Sequence, residues 1–259
     1  MYKVGISSCG NKPLNESGLR EIKNAGISAV EVALGTTMDG VDFGAIRTAA
    51  DKVGIELWSV HSHMRPDFDI SSLDNDSNRA AISELSELIN RASAFGLDKF
   101  VIHPTHTPEP FDQTTRGEKI KHAMACLDTL AEFAYKKNAV IAVENLPRTC
   151  IGRDIKEMTA ILAAIDGLYA CFDTNHSLKD DNVEFVRALG SRIIALHVSD
   201  YDFINERHRM PFDGKNDWKG IMNALKEVGY SGTWNYEVST DGRSAAEFTE
   251  NYARLLENA

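Results

Sequence analysis

The chain has 259 residues, 43% of them apolar and 25% charged, which describes a soluble globular protein with material for a sizeable core. With 28 basic against 38 acidic residues, a formal charge of −10, it argues against a nonspecific nucleic-acid binder. No apolar run approaches the roughly 18 residues of a membrane span, and four scattered cysteines without a C-x-x-C pair disfavour a zinc knuckle or disulfide framework and fit a reducing cytoplasm.

The opening "MYKVGISSCG" lacks the basic-then-apolar pattern of an export leader, and its "KVGISS" reads as a first strand. From there one unit recurs: a helical stretch, a glycine, then a short apolar run. Its joints read "NAGISAVEVAL", "DKVGIELWSVH", "SAFGLDKFVIH", "AIDGLYACFD", "RALGSRIIALH" and "KEVGYSGTWNYEV". Gly26, Gly54, Gly96, Gly167, Gly190 and Gly229 sit where a helix end needs a residue tolerant of positive φ. With "AVIAVENLP" added, eight strands are expected near residues 3–8, 29–34, 55–61, 99–103, 140–145, 168–173, 193–198 and 233–238.

Most of these runs are continuously apolar, as parallel strands covered on both faces require. Between them, Ile82, Leu85, Leu88, Ile89, Ala92 and Phe95 recur at helical spacing, as do Ile120, Met124, Leu127, Leu130 and Ala134. Thr115 with Glu118 and Ser244 with Glu247 read as capping boxes. Eight such units in this length predict an α/β fold, a (β/α)8 TIM barrel forming one domain over residues 1–259; an open doubly wound sheet is the alternative.

A barrel assignment directs attention to the C-terminal strand ends, where catalytic groups of this fold converge. His61 and His63 end the third strand and His103 the fourth, with His106 just beyond; His176 follows the sixth, His197 ends the seventh, and His208 lies in the loop after it. Of the eight histidines only His122 falls mid-helix, where a solvated role is expected. Glu144, Asp173 and Glu237 likewise each terminate an apolar run. With His197 they occupy strands five to eight, and neighbouring strands lie roughly 5 Å apart. Three carboxylates converging there would repel one another unless a cation sat among them. Three carboxylates and one imidazole make a hard-to-borderline donor set suited to Mn²⁺, Mg²⁺ or Co²⁺, and the absence of cysteine at these four positions disfavours a closed structural zinc site.

The segments "VIHPT", "AVENLPR", "CFDTNH", "LHVSDYD", "RHRMP" and "WNYEVS", in that order on successive strands, resemble the xylose-isomerase-like TIM-barrel superfamily. That superfamily holds sugar-phosphate isomerases and epimerases, inosose dehydratases and AP endonucleases. The resemblance implies metal ligands at Glu144, Asp173, His197 and Glu237, with a substrate contact at His176. In the nuclease branch, which uses three zinc ions, His61 or His63, His103, His176 and His208 also have counterparts, but Glu206 stands where that branch has aspartate. "NLPRT" and "HSLKDD" resemble the sugar branch, and "MPFDGKNDW" replaces a G-x-G turn common to both.

The expectation is therefore a metal-dependent isomerase or epimerase of a sugar, keto-sugar or polyol. Glu144 and Glu237 would exchange a proton next to a metal-bound carbonyl through a cis-enediolate. A dehydratase or lyase on a keto-sugar or keto-cyclitol is the first alternative, and an AP-endonuclease-like phosphodiesterase with several zinc ions the second. Mn²⁺ is the expected metal, ahead of Mg²⁺, Co²⁺ or Zn²⁺. Substrate contacts are assigned to His176, His103, His61, Arg207 and His208. Trp58, Phe68 and Trp234 are candidates for an apolar wall behind the sugar, although core packing accounts for them as well, and Glu31 reads as a supporting carboxylate. A small-molecule sugar or polyol partner in the cytoplasm is expected, with no membrane and with nucleic acid disfavoured; a homo-oligomer is compatible with the sequence, although no stretch marks its interface.

Overall fold

A computed structural model describes residues 1–9, 13–65, 67–106, 112–239 and 242–258. Eight strands alternate with eight helices: β1 (Lys3–Ser7), α1 (Glu16–Asn24), β2 (Ala29–Ala33), α2 (Phe43–Val53), β3 (Glu56–His61), α3 (Asn75–Ser93), β4 (Lys99–Ile102) and α4 (Arg116–Lys136) form the first half. The second half comprises β5 (Val140–Glu144), α5 (Ile155–Ala164), β6 (Leu168–Asp173), α6 (Asn182–Leu189), β7 (Ile193–His197), α7 (Trp218–Glu227), β8 (Thr233–Tyr236) and α8 (Ala246–Asn258). The strand order is β7-β6-β5-β4-β3-β2-β1-β8 and every pairing is parallel. Closure between β7 and β8 runs through Val198, whose N–H donates to the Asn235 carbonyl at 2.8 Å and whose carbonyl accepts from Glu237 N–H at 3.1 Å. The result is a TIM barrel, and each expected strand falls where the apolar runs put it.

All six joint glycines adopt positive φ, from +57° at Gly190 to +88° at Gly26. At Gly54 the backbone is in the left-handed region and its N–H closes the end of α2 on Ala50 O, a conformation that a Cβ would strain. Helix starts are set by a device the sequence reading passed over. Asn15, Asp42, Asp74, Asp154, Asp181 and Asp217 each accept a hydrogen bond from a first-turn N–H. The expected box at Thr115 does not form, because Thr115 is helical in φ and ψ and makes no side-chain cap. At Ser244 half of one forms: Glu247 reaches back to accept from Ser244 N–H at 2.8 Å.

The core lies between the strands' outer faces and the helices, as in Val30, Phe100, Ile141, Phe172, Leu196 and Trp234, all at most 1% exposed. Inside the barrel a separate small cluster of Val101, Ala142, Cys171 and Ala195 fills the bore. Each of these lies two residues before a rim residue: His103, Glu144, Asp173 and His197. Side chains alternate with period two along a strand, so the register that points the small residues inward also points those four into the mouth.

Candidate metal centre and active site

In the mouth of the barrel Glu144, Asp173, His197 and Glu237 each offer a ligand atom, and those atoms all lie within 4.8 Å of one another. His197 Nδ1 is at the centre, 3.1 Å from Glu144 Oε1, 3.3 Å from Glu237 Oε2 and 4.0 Å from Asp173 Oδ2. The first three residues are essentially inaccessible and Glu237 is half-buried. The donor set fits a divalent cation on two observations. Asp173 Oδ2 is buried and accepts no hydrogen bond among the described residues, and three carboxylates share one pocket. Burial, with Glu237 and Glu144 close by, pushes the Asp173 carboxyl up to about 7. A cation among the three carboxylates would relieve that repulsion.

Two further groups flank the quartet. His61 and His103 approach Glu144 Oε2 at 3.3 and 3.1 Å, and His176, Glu206 and His208 form a second triad, again with ligand atoms within 4.8 Å. His176 Nε2 lies 3.3 Å from Glu206 Oε2. Three of the imidazoles share one design. The Nδ1 atoms of His61, His176 and His208 donate to the carbonyls of Ser62, Asn145 and Glu237 at 2.9, 2.9 and 3.1 Å. A carbonyl only accepts, so Nδ1 carries the hydrogen in each ring, leaving Nε2 as the nitrogen able to take a cation. In His197 the roles of the two nitrogens are reversed: Nε2 faces the Glu31 carboxylate and Nδ1 faces Glu144.

Electrostatics follow from these contacts. Burial works against a charged His61, yet Glu144 and Glu31 push it up to about 9. Burial likewise opposes a charged His176, and Asp173, Glu206 and Glu144 overcome it, pushing it up to about 10. Burial favours a neutral Glu144, but His197 and His103 hold it well below the usual carboxylate range. His103 itself is held down, chiefly by burial.

The remaining sequence candidates separate into two sets. His61 rather than His63 enters the mouth: His63 turns to Phe68, ring centroids 4.5 Å apart, with its Nε2 2.8 Å from Glu84 of α3. Arg207 is not brought to the cavity. Its Nε donates to Asp202 at 2.9 Å and the side chain is 43% exposed. The arginine lining the roughly 260 Å³ mouth is Arg148, at φ +56°, which donates from Nη1 to Asn205 and Glu206 at 2.8 Å. Arg148 lies four residues after Glu144 in "ENLPR", and that proximity to a rim glutamate is the signal for it in the sequence. Trp58, Phe68 and Trp234 form no wall: Trp234 is fully buried beside Tyr2, Trp218 and Tyr252, and Trp58 lies under Lys99, 4.4 Å from its ring. His122 is not simply solvated, since its Nδ1 lies 2.8 Å from Ser72 O and 2.9 Å from Asn78 Oδ1, tying α4 to the start of α3.

Two supporting residues were also missed. Asn145 bridges two strand ends, donating to Asp173 O at 3.0 Å and accepting from Asp173 N–H at 2.7 Å. Asp200 is the hub of the β7–α7 loop: its carboxylate accepts from the N–H groups of Tyr201, Phe212 and Asn216 and from Trp218 Nε1, at 2.9 to 3.1 Å. "MPFDGKNDW" therefore keeps an ordered turn without a G-x-G. Gly214 packs so closely on Asp200 and the Tyr201 carbonyl that a Cβ there would clash.

A parallel barrel with a His, Asp and Glu cluster at its C-terminal mouth defines a class of α/β barrel proteins with a candidate metal centre. Residues 19–258 match the model of the xylose isomerase-like TIM barrel family, and the chain belongs to that family. Uncharacterized protein y4fM of Sinorhizobium fredii is 24% identical over 169 residues, 63% of this chain and 54% of that protein, so the chain spans about half that relative's length. Among solved structures, a D-tagatose 3-epimerase-like protein superposes with TM-score 0.87 at 22% identity, covering 99% of this chain and 97% of the other. The 3-keto-D-glucoside 4-epimerase YcjR of E. coli superposes with TM-score 0.83 at 15% identity, covering 99% and 100%. At these identities the likeness establishes the fold. Among the described residues no helix is long and apolar enough to cross a membrane.

Proposed function

We propose that the protein is a divalent-metal-dependent isomerase or epimerase of a sugar, keto-sugar or polyol, with Mn²⁺ as its metal. One observation carries the reading: Glu144 and Glu237 stand at the two ends of a four-strand arc, with Asp173 and His197 between them and ligand atoms close enough for one ion. The shared fold with a 4-epimerase of a keto-glucoside and a D-tagatose 3-epimerase-like protein supports it.

When bound, a divalent ion polarises the substrate carbonyl and makes the neighbouring C–H more acidic. Glu144 and Glu237 then act as the acid/base pair. One takes the proton from its face of the substrate and the other returns one from the opposite face, which inverts the stereocentre. Return to the adjacent carbon would isomerise instead, and loss of a neighbouring hydroxyl would make the enzyme a dehydratase. His176, anchored through Nδ1 on Asn145 O, orients a substrate oxygen. His61, His103 and His208 line the same cavity and contact substrate there.

The test is deuterium wash-in from D2O into a panel of ketoses and keto-cyclitols with added Mn²⁺. Glu144→Gln and Glu237→Gln are each expected to lower exchange by about 10²- to 10⁴-fold while remaining folded by circular dichroism. Undiminished exchange in both variants ends the acid/base assignment.

A second reading has its own observation. The His61/His103/Glu144 and His176/Glu206/His208 triads adjoin the quartet and would suit a multi-zinc phosphodiesterase acting on abasic DNA. Metal analysis separates the two: about one ion per chain supports the epimerase, whereas about three zinc ions with cleavage of an abasic-site duplex establishes the nuclease.

A further inference from the structure

Glu31 belongs to none of the groups above, yet it is fully buried in the bore and reaches across it to touch His197, 166 residues away. Its Oε2 accepts from Ser59 Oγ at 2.7 Å, and both carboxylate oxygens lie 3.1 Å from His197 Nε2. We propose that Glu31 is a positioning residue for the cation site: by accepting the His197 Nε2 hydrogen it keeps Nδ1, the nitrogen facing Glu144, Asp173 and Glu237, as the metal-binding atom. The inference rests on the cation site proposed above.

Three observations carry it. An isolated carboxylate in a barrel interior costs several kcal/mol unless paired, and here the partners are Ser59 and a ring of the candidate metal centre. The ladder between β2 and β3 shifts register at Val30/Glu31, with Trp58 as the extra residue, so that Glu31 stands opposite Ser59 rather than a tryptophan. A bulge of this kind re-aims a side chain. Finally, the His197 ring is anchored on a carboxylate through Nε2, whereas His61, His176 and His208 hang from carbonyls through Nδ1. Reversing that ring would bring a hydrogen, not a lone pair, to the quartet.

The experiment is calorimetric titration of the metal-stripped full chain with Mn²⁺, combined with long-range ¹H–¹⁵N spectra of the Mg²⁺-loaded protein to read the His197 tautomer. Glu31→Gln retains an acceptor oxygen and is expected to bind Mn²⁺ about tenfold more weakly. Glu31→Ala is expected to lose up to about 100-fold and to abolish the Nε2–H signature. Should Glu31→Ala not fold, Ser59→Ala, which frees the carboxylate to rotate, is expected to weaken Mn²⁺ binding several-fold. Wild-type affinity in folded Glu31→Gln and Ser59→Ala, or an Nδ1–H tautomer in the loaded wild type, overturns the proposal. Failure of the wild type itself to bind Mn²⁺ overturns the cation site instead, so the two failures are distinguishable.

Discussion

Asn145 shows how much a single uncharged residue contributes to the mouth. Its side chain zips the end of β5 to the end of β6 through both backbone groups of Asp173, and its own carbonyl fixes the His176 ring. Asn145→Ala removes two buried hydrogen bonds and leaves an amide and a carbonyl without partners. A loss of about 2 to 4 kcal/mol is expected in urea unfolding, together with weaker Mn²⁺ binding. Unchanged stability would show that Asp173 is held by its strand alone. The rim histidines and carboxylates were legible because charged groups ending apolar runs are conspicuous, whereas an asparagine beside a glutamate looks like any turn. The arginines show the converse. Arg207 adjoins His208 in sequence but turns outward to Asp202, while Arg148, held at φ +56°, lines the cavity. Loop backbone conformation sets those directions, and no periodicity encodes it.

Among the elements, two register shifts bring the key pairs opposite each other. The extra residue Trp58 sets Glu31 against Ser59, and a shift between Ala170 and Cys171, with Ile194 as the extra residue, sets Asp173 against His197. Without the second shift the inward face of β7 would slip by one residue, and every side chain beyond would change sides. The β7–α7 loop depends instead on Asp200. Asp200→Asn replaces one acceptor oxygen by a donor amide facing two N–H groups, and about 3 kcal/mol of destabilisation is expected. Accelerated proteolysis confined to residues 201–217 is the accompanying readout; cleavage at the wild-type rate would remove Asp200 as the loop's organiser. Strands and helix-ending glycines were readable because period and φ tolerance are local properties. Helix starts were read at two serine/threonine sites, of which Thr115 failed, while six Asx caps passed unread.

The molecule as a whole joins proton binding in the mouth to stability. Asp173 at about 7, His61 at about 9 and His176 at about 10 all bind protons more tightly folded than at their ordinary values of 3.8 and 6.5. A group raised on folding stabilises the fold below its ordinary value and loses that contribution as pH climbs through the raised one. The metal-free protein should therefore lose stability between about pH 6 and pH 9; His103, held low by burial, acts oppositely only on the acid side. A cation displaces these protons, so its stabilising effect grows over the same window. The gap in Tm with and without Mn²⁺ is expected to widen by about 4 °C or more from pH 6 to pH 8.5, equivalent to roughly 1 to 2 kcal/mol. A gap independent of pH would mean that the ion displaces no proton.

Sequence by itself determined the architecture and the membership of the rim quartet. The alternation of glycine-ended helices with apolar runs specifies parallel strands, and a polar residue that closes such a run falls at the C-terminal strand ends, where this fold has its mouth. Only the tertiary structure decided which imidazole nitrogen faces the quartet, that His61 and not His63 points inward, and that Glu31 reaches His197. These depend on contacts between residues up to 166 positions apart and on one-residue bulges. Barrel closure fixes such contacts through the register of all eight strands at once, which no single stretch of the chain carries.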